Sequence, residues 1–293
     1  MRAGLVLVLV LGFVRDVVLV RVRVFVLDIV RVLVRVFVLD VARVLVLVLG
    51  LGRVLGLGLA LGLGFAPRTA RAAPTPELTV FAASSLREAF TAIAQQFEAE
   101  HAGARVALQF AGSQELRVQI ENGAAADVFA SADEKQMARV GELMLEPAVF
   151  AHNQPVVVVP HDNPAGLRAF ADLAKAHRIV LGAHEVPIGA YADRILAAAH
   201  MDLEGRVVSR ELNVRQVLAK VELGEADAAI VYRTDAAHAA VQVIEIPPAL
   251  NLTAEYPIAV LARARQPELA AQFVRLVRSS AGRSVLLRFG FEP

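Results

Sequence analysis

The residues of this 293-residue chain best placed for chemistry are uncharged. Four short segments stand where an apolar run gives way to a helical pattern: Ser84-Ser85, Gly112-Ser113, Val186-Pro-Ile-Gly189 and Leu212-Asn213-Val214. A helix starts with N–H groups that lack an intrahelical partner and with a partial positive charge, so its first turn favours an anion. Tyr232 ends the apolar run Ala228-Ala-Ile-Val-Tyr232, and a phenol at that place can donate to a ligand lying beyond the strand. Taken singly, Ser84, Ser85 and Ser113 are better explained as helix caps, and Tyr232 equally well as a packing residue. Their recurrence at several junctions favours a common anion. Ser84 could assist or replace Ser85 in this role.

Charged and nucleophilic chemistry is poorly provided for. The seven histidines include no pair at metal-ligand spacing, and the chain has no H-E-x-x-H, no G-x-S-x-G and no Gly-rich phosphate loop. His184 is the one histidine near a site segment, and Ser113 with His184 is the pairing an exported hydrolase would have to use. The acidic pairs Asp133-Glu134 and Glu98/Glu100 fall on predicted helix faces and read as solvated. With no cysteine, a disulfide framework, a thiolate metal site, a Cys nucleophile and a lipoprotein anchor are all excluded.

The overall balance of 30 basic and 29 acidic residues conceals two unlike pieces. Up to about Ala73 the chain is nearly all Val, Leu, Arg and Gly, with ten arginines against three aspartates, which leaves the remainder at about −6. An acidic body is unsuited to nucleic acid, whose phosphates demand a basic surface. Residues 1–52 contain an exact repeat, Val22 to Asp28 and again Val34 to Asp40, and are expected to be a low-complexity extension rather than a folded domain. Residues 53–72 have the form of a secretory signal: Arg53, an apolar run from Val54 to Ala66, then Ala70-Arg71-Ala72 as the cleavage site. Its apolar run is too short for a permanent span, so export to the periplasm is expected.

The elements that must position the candidate donors follow from periodicity. Leu78 to Ala83, Arg105 to Phe110, Asp127 to Ala130, Pro155 to Pro160, Ala228 to Tyr232, Ala240 to Ile246 and Tyr256 to Leu261 read as strands. The four consecutive valines 156–159 suit a strand covered on both faces. Between them lie helical patterns, the first with Leu86, Phe90, Ile93 and Phe97 on one face and a Ser85/Glu88 capping-box spacing. Repeated βα units over about 220 residues predict an α/β protein of two lobes, with mostly parallel sheets.

Several motifs in order resemble the periplasmic molybdate-binding proteins of ABC transporters. They are Val80-Phe-Ala-Ala-Ser-Ser85-Leu, Phe110-Ala-Gly-Ser113, and the segment Gln119 to Asp133 that contains Asp127-Val-Phe-Ala-Ser-Ala-Asp133. Val186-Pro-Ile-Gly-Ala-Tyr-Ala192, Asn213-Val214-Arg, Ala229-Ile-Val-Tyr-Arg-Thr-Asp235, Tyr256-Pro-Ile-Ala-Val260 and the closing Phe289-Gly-Phe291 continue the match over the whole mature chain.

The resemblance implies a type II periplasmic-binding fold, two βα lobes joined by a hinge. Residues 73–156 and 240–293 would form lobe 1 and residues 157–239 lobe 2, closing about strands near Val156 and Ala240. It implies a non-enzymatic, monomeric receptor that holds molybdate or tungstate and delivers it to an ABC permease, with no cofactor and no directly bound metal ion. Another tetrahedral oxyanion or a small carboxylate is the alternative ligand. The motif positions assign the oxyanion to the hydroxyls of Ser85, Ser113 and Tyr232 and to the N–H groups of Ile188 and Val214. Ile188 stands where the family commonly has a small alanine. The loop Gly182 to Val186 is a residue short, so Glu185 must face solvent if it is not to repel the ligand.

Overall fold

The computed structural model describes residues 76–293, and the expected extension and signal segment lie outside them. Ten strands form two five-stranded sheets. The first contains β1 (Glu77–Ala83), β2 (Arg105–Ala111), β3 (Val128–Ala130), β4 (Met144–Asn153) and β10 (Ala254–Leu261), in the order β2-β1-β3-β10-β4. The second contains β5 (Pro155–Pro160), β6 (Ile179–Gly182), β7 (Val207–Glu211), β8 (Ala228–Tyr232) and β9 (Val241–Ile244), in the order β7-β6-β8-β5-β9.

Both sheets are mixed, and each has one strand reversed against the rest. β1 pairs in parallel with β2 and β3, while β10 runs antiparallel to both β3 and β4. Likewise β6 is parallel to β7 and β8, while β5 is antiparallel to β8 and β9. The reversal has a topological cause. β4 and β9 end beside the carboxyl ends of the parallel strands, the chain crosses there to the other sheet, and β5 and β10 must run back from that edge.

The crossings differ from the expected boundaries. The first lies at Gln154, between β4 and β5, so Pro155 and Val156 already belong to the second sheet. The second lies between Ile244 and Ala254, because Val241 to Ile244 hydrogen bonds to β5. A boundary at 239/240 would assign that strand to the wrong lobe. Its pairing partner lies some 80 residues earlier in the chain, so the local pattern could not reveal it.

Helices follow the parallel strands. A single 3-10 turn at Ser84–Leu86 leads from β1 into α1 (Arg87–Glu100), whose predicted face, Phe90, Ile93 and Phe97 with Leu86 before it, is completely buried. Phe90 and Phe97 meet Phe273 of α7 (Pro267–Arg278) edge to face, with centroids 6.0 and 5.5 Å apart. Each such ring is worth about 1.5–3 kcal/mol of burial. α2 (Ser113–Glu121) follows β2, and α3 (Glu134–Val140) follows β3, capped by Asp133, whose carboxylate accepts from Gln136 N–H at 2.8 Å. In the second lobe α4 (Pro187–Ala198) follows β6, α5 (Val214–Glu222) follows β7, and the single turn α6 (Arg233–Ala236) follows β8. The helical C-terminus is two helices, α7 and α8 (Ser280–Arg288), separated at Ser279, whose hydroxyl caps α8. Val156 to Val159 of β5 are fully buried, as their composition predicts for a strand covered on both faces.

Candidate oxyanion site

The carboxyl ends of β1, β2, β6, β7 and β8 converge on one small cavity of about 10 Å³. Ser85, Ser113, Ile188, Val214 and Tyr232 all line it, and Ser84 does too. No charged side chain is on its wall. The structure thus brings all five expected residues together from five separate junctions.

Each junction is built for donation. Pro187 occupies the first position of α4, so that helix starts with no N–H at its first residue, and the first intrahelical bond is Ala190 N–H to Val186 C=O at 2.9 Å. The N–H groups of Ile188 and Gly189 are left without an intrahelical acceptor, and Ile188 lines the cavity. α5 starts in the same way after Asn213, whose side chain accepts from Gln216 N–H at 3.1 Å and leaves the N–H of Val214 free. The Ile188 side chain is buried, and its Cγ2 would lie 3.0 Å from a Cβ at position 182. Gly182 therefore supplies the room that the larger residue needs.

Neither candidate serine is a helix cap. The capping-box spacing of Ser85 and Glu88 is not used, since no side chain caps the 3-10 turn or α1. The Ser85 hydroxyl instead meets the Tyr256 hydroxyl of β10 at 3.0 Å. Ser113 is the first residue of α2 rather than its cap, and its Oγ accepts from Ala132 N–H at 3.0 Å. Tyr232 is 1 % exposed, and its hydroxyl has no hydrogen-bond partner among the described residues. Burial pushes its phenol well above the ordinary value, with the neighbouring phenols Tyr256 and Tyr191 adding to the shift, so it remains a proton donor. A buried hydroxyl beside a cavity is costly to leave unpaired, so it calls for a guest, a water or an anion, to complete it.

Three contacts fasten the second lobe to the first around this cavity. Gln114 Nε2 donates to Leu212 C=O at 2.7 Å, and Gln136 Nε2 donates to Glu185 C=O at 2.8 Å. Arg215, beside Val214, donates to Glu88 of α1. The same guanidinium lies 2.8 Å from the carboxylate of Asp235, although Nε and both carboxylate oxygens are misaligned for a hydrogen bond. Burial pushes the Asp235 carboxyl up to about 7, outweighing the opposing pull of Arg215. Gly112 permits a close backbone approach between the lobes, since a Cβ there would lie 2.3 Å from Leu212 O.

Other sequence candidates fall elsewhere. His184 is exposed and pairs with Asp193 at 2.6 Å, so it is not the partner of Ser113. Glu185 is exposed and presents only its carbonyl to the first lobe. Among the described residues no cluster of three His, Asp or Glu side chains is placed to hold a metal ion. Sequence reasoning missed Asn153, Arg215 and Asp235. Arg215 and Asp235 stand within matched motifs but read as ordinary helix residues, and Asn153 carried no local signal.

Known proteins resemble this chain in sequence and fold. The model of the bacterial extracellular solute-binding protein family covers residues 78–292. The molybdate-binding protein ModA of Mycobacterium tuberculosis is 44 % identical over 235 residues, covering 77 % of this chain and 89 % of the relative. Among solved structures, the substrate-binding domain of a putative molybdenum ABC transporter from Clostridium difficile has a TM-score of 0.58 at 28 % identity, over 74 % of this chain and 98 % of that one. The Azotobacter vinelandii periplasmic molybdate-binding protein has a TM-score of 0.67 at 20 % identity, over 74 % and 99 %, and shares the fold. With two mixed α/β lobes, uncharged donors at their facing strand ends and a match that spans the described residues, this chain is a member of the bacterial extracellular solute-binding protein family.

Proposed function

We propose that this protein is a periplasmic receptor that binds molybdate or tungstate between its lobes and delivers it to an ABC permease, as a monomer and without catalysing a reaction. The observation that carries the reading is the cavity wall: the hydroxyl residues Ser84, Ser85, Ser113 and Tyr232 and the starts of α2, α4 and α5, all neutral, surround one small space. Pre-organised neutral donors in a dry site can hold a dianion, while a charged wall would accept many anions. Ser85, Ser113 and Tyr232 would donate through their hydroxyls, and Ile188 and Val214 through their backbone N–H groups. The export signal of residues 53–72 and the extension before it belong to the same reading, with lobe 1 around the first sheet and lobe 2 around the second.

The relatives named for molybdate favour that anion over sulfate or a carboxylate. Calorimetric titration of the fragment from Ala73 onward with molybdate, tungstate, sulfate and phosphate tests the proposal. One-to-one binding of molybdate and tungstate, weakened by Ser85→Ala and by Ser113→Ala, is the expected result. Binding of sulfate alone, or of none of the four, would overturn it.

A further inference from the structure

A buried chain of hydrogen bonds runs from the first interlobe crossing to the site, and its proton positions can be worked out. Asn153, the last residue of β4, accepts at Oδ1 from Gln154 N–H at 2.9 Å, which fixes the orientation of its amide. Its Nδ2 then faces Thr234 Oγ1 at 2.8 Å and the Tyr256 hydroxyl at 3.5 Å. Tyr256 is fully buried, and the other hydrogen-bonding atom beside its hydroxyl is Ser85 Oγ at 3.0 Å. An amide N–H₂ cannot accept a hydrogen bond, so the phenolic proton goes to Ser85. Were Ser85 to donate to Tyr256 instead, the phenolic proton would be buried without an acceptor.

Resting on the oxyanion reading above, we propose that Tyr256 is a positioning residue that holds Ser85 as a donor to the anion and so excludes anions that carry a proton of their own. Ser85 accepts from Tyr256, and its own proton is left to point into the cavity. Ser113 is set in the same sense by a different partner, the N–H of Ala132. Tyr232 brings a third proton that has no acceptor among the described residues. A guest that is all acceptor, such as molybdate or sulfate, matches this set. A monohydrogen anion such as phosphate needs one wall group to turn round and accept, and the chain from Asn153 denies it Ser85. Tyr256 belongs to β10, just after the second crossing, and Asn153 to the first. The donor state of Ser85 is therefore set by residues at both places where the lobes join.

The test is titration of wild type, Tyr256→Phe, Ser85→Ala and the double variant with molybdate, and with phosphate at a fixed pH where it is the monohydrogen dianion. The expected result for Tyr256→Phe is a molybdate affinity about 10-fold weaker, with phosphate affinity unchanged or stronger, so that the ratio of the two falls by at least about 10-fold. In the Ser85→Ala background the same change should have no further effect on either anion, because Tyr256 acts through that hydroxyl. Asn153→Asp supplies a second route should Tyr256→Phe not fold. A carboxylate accepts the phenolic proton, reverses the chain and should lower the same ratio. An equal loss for both anions, or an additive loss on top of Ser85→Ala, would overturn the role of Tyr256. A wild type that binds neither anion would overturn the oxyanion reading itself.

Discussion

Replacing Tyr232 with phenylalanine should separate binding from stability. Tyr232 lines the cavity and its hydroxyl has no hydrogen-bond partner among the described residues, so Tyr232→Phe deletes an oxygen without breaking a bond among them. The ring keeps its packing, including the edge-to-face contact with Tyr256 at a centroid distance of 5.7 Å. The stability of the anion-free protein should therefore change by no more than about 0.5 kcal/mol, roughly 1–2 °C in Tm for a body of this size. Binding should suffer far more, because a hydrogen bond to a charged guest is worth about 1.5–3 kcal/mol, or roughly 10- to 150-fold in Kd. At a saturating molybdate concentration the variant should lose that same free energy of ligand stabilisation, so its Tm should lie about 3–12 °C below that of wild type. Thermal melts of both proteins with and without molybdate measure all of these quantities together. A variant that melts several degrees low without anion, or one that keeps the wild-type molybdate shift, would refute the reasoning and return Tyr232 to a packing role.

Three further outcomes are expected. Gly112→Ala should weaken molybdate binding by more than about 10-fold with little change in the anion-free Tm, because the added methyl would meet Leu212 O of the other lobe at 2.3 Å and hold the lobes apart; a wild-type affinity in titration calorimetry would show that the lobes close differently. Gly189→Ala should damage both properties, since its methyl would meet the carbonyls of Ala183 and Gly182 at 2.1 and 2.5 Å and displace the start of α4, and a wild-type melt would contradict this. Asp235 has a folded-state pKa of about 7 against an ordinary 3.8, so between those values the folded protein keeps a proton that the unfolded chain has released. Its contribution is fully present at low pH and is lost as pH rises through that window. Melts across the window should show stability falling toward neutral pH relative to Asp235→Asn, and parallel curves for the two proteins would exclude the effect.

Much of the site was legible because its parts are local. A strand end, a small residue and a helix start appear within five or six letters, so the four junctions and Tyr232 are recognisable from such stretches, while the choice of Ser85, Ser113, Ile188 and Val214 within them rests on the family resemblance. The apolar face of α1 and the valines of β5 were legible for the same reason, as both patterns repeat within one element. Long-range pairings were not. The Ser85/Glu88 spacing suggested a cap, yet the hydroxyl is taken by Tyr256, 171 residues away. β4 is half exposed, carries Glu146 and Pro147, and has no clean alternation, so it gave no strand signal despite its ten residues. Arg215 carries no local signal of its role, because its place between Glu88 and the buried Asp235 depends on how the two lobes meet.

The reversal of β5 and β10 has a mechanical consequence. Because the chain passes between the sheets only at the rim where the strands converge, the pivot and the guest are near neighbours. If the proposed receptor closes about that pivot, a small rotation would be geared up with distance: helices remote from the crossings would sweep through the longest arcs, while the atoms proposed to grip the anion would barely travel. In the proposed receptor, occupancy would thus be broadcast as the outline of the whole molecule. A transport partner could sense a loaded protein from its contour alone, without ever touching what it carries.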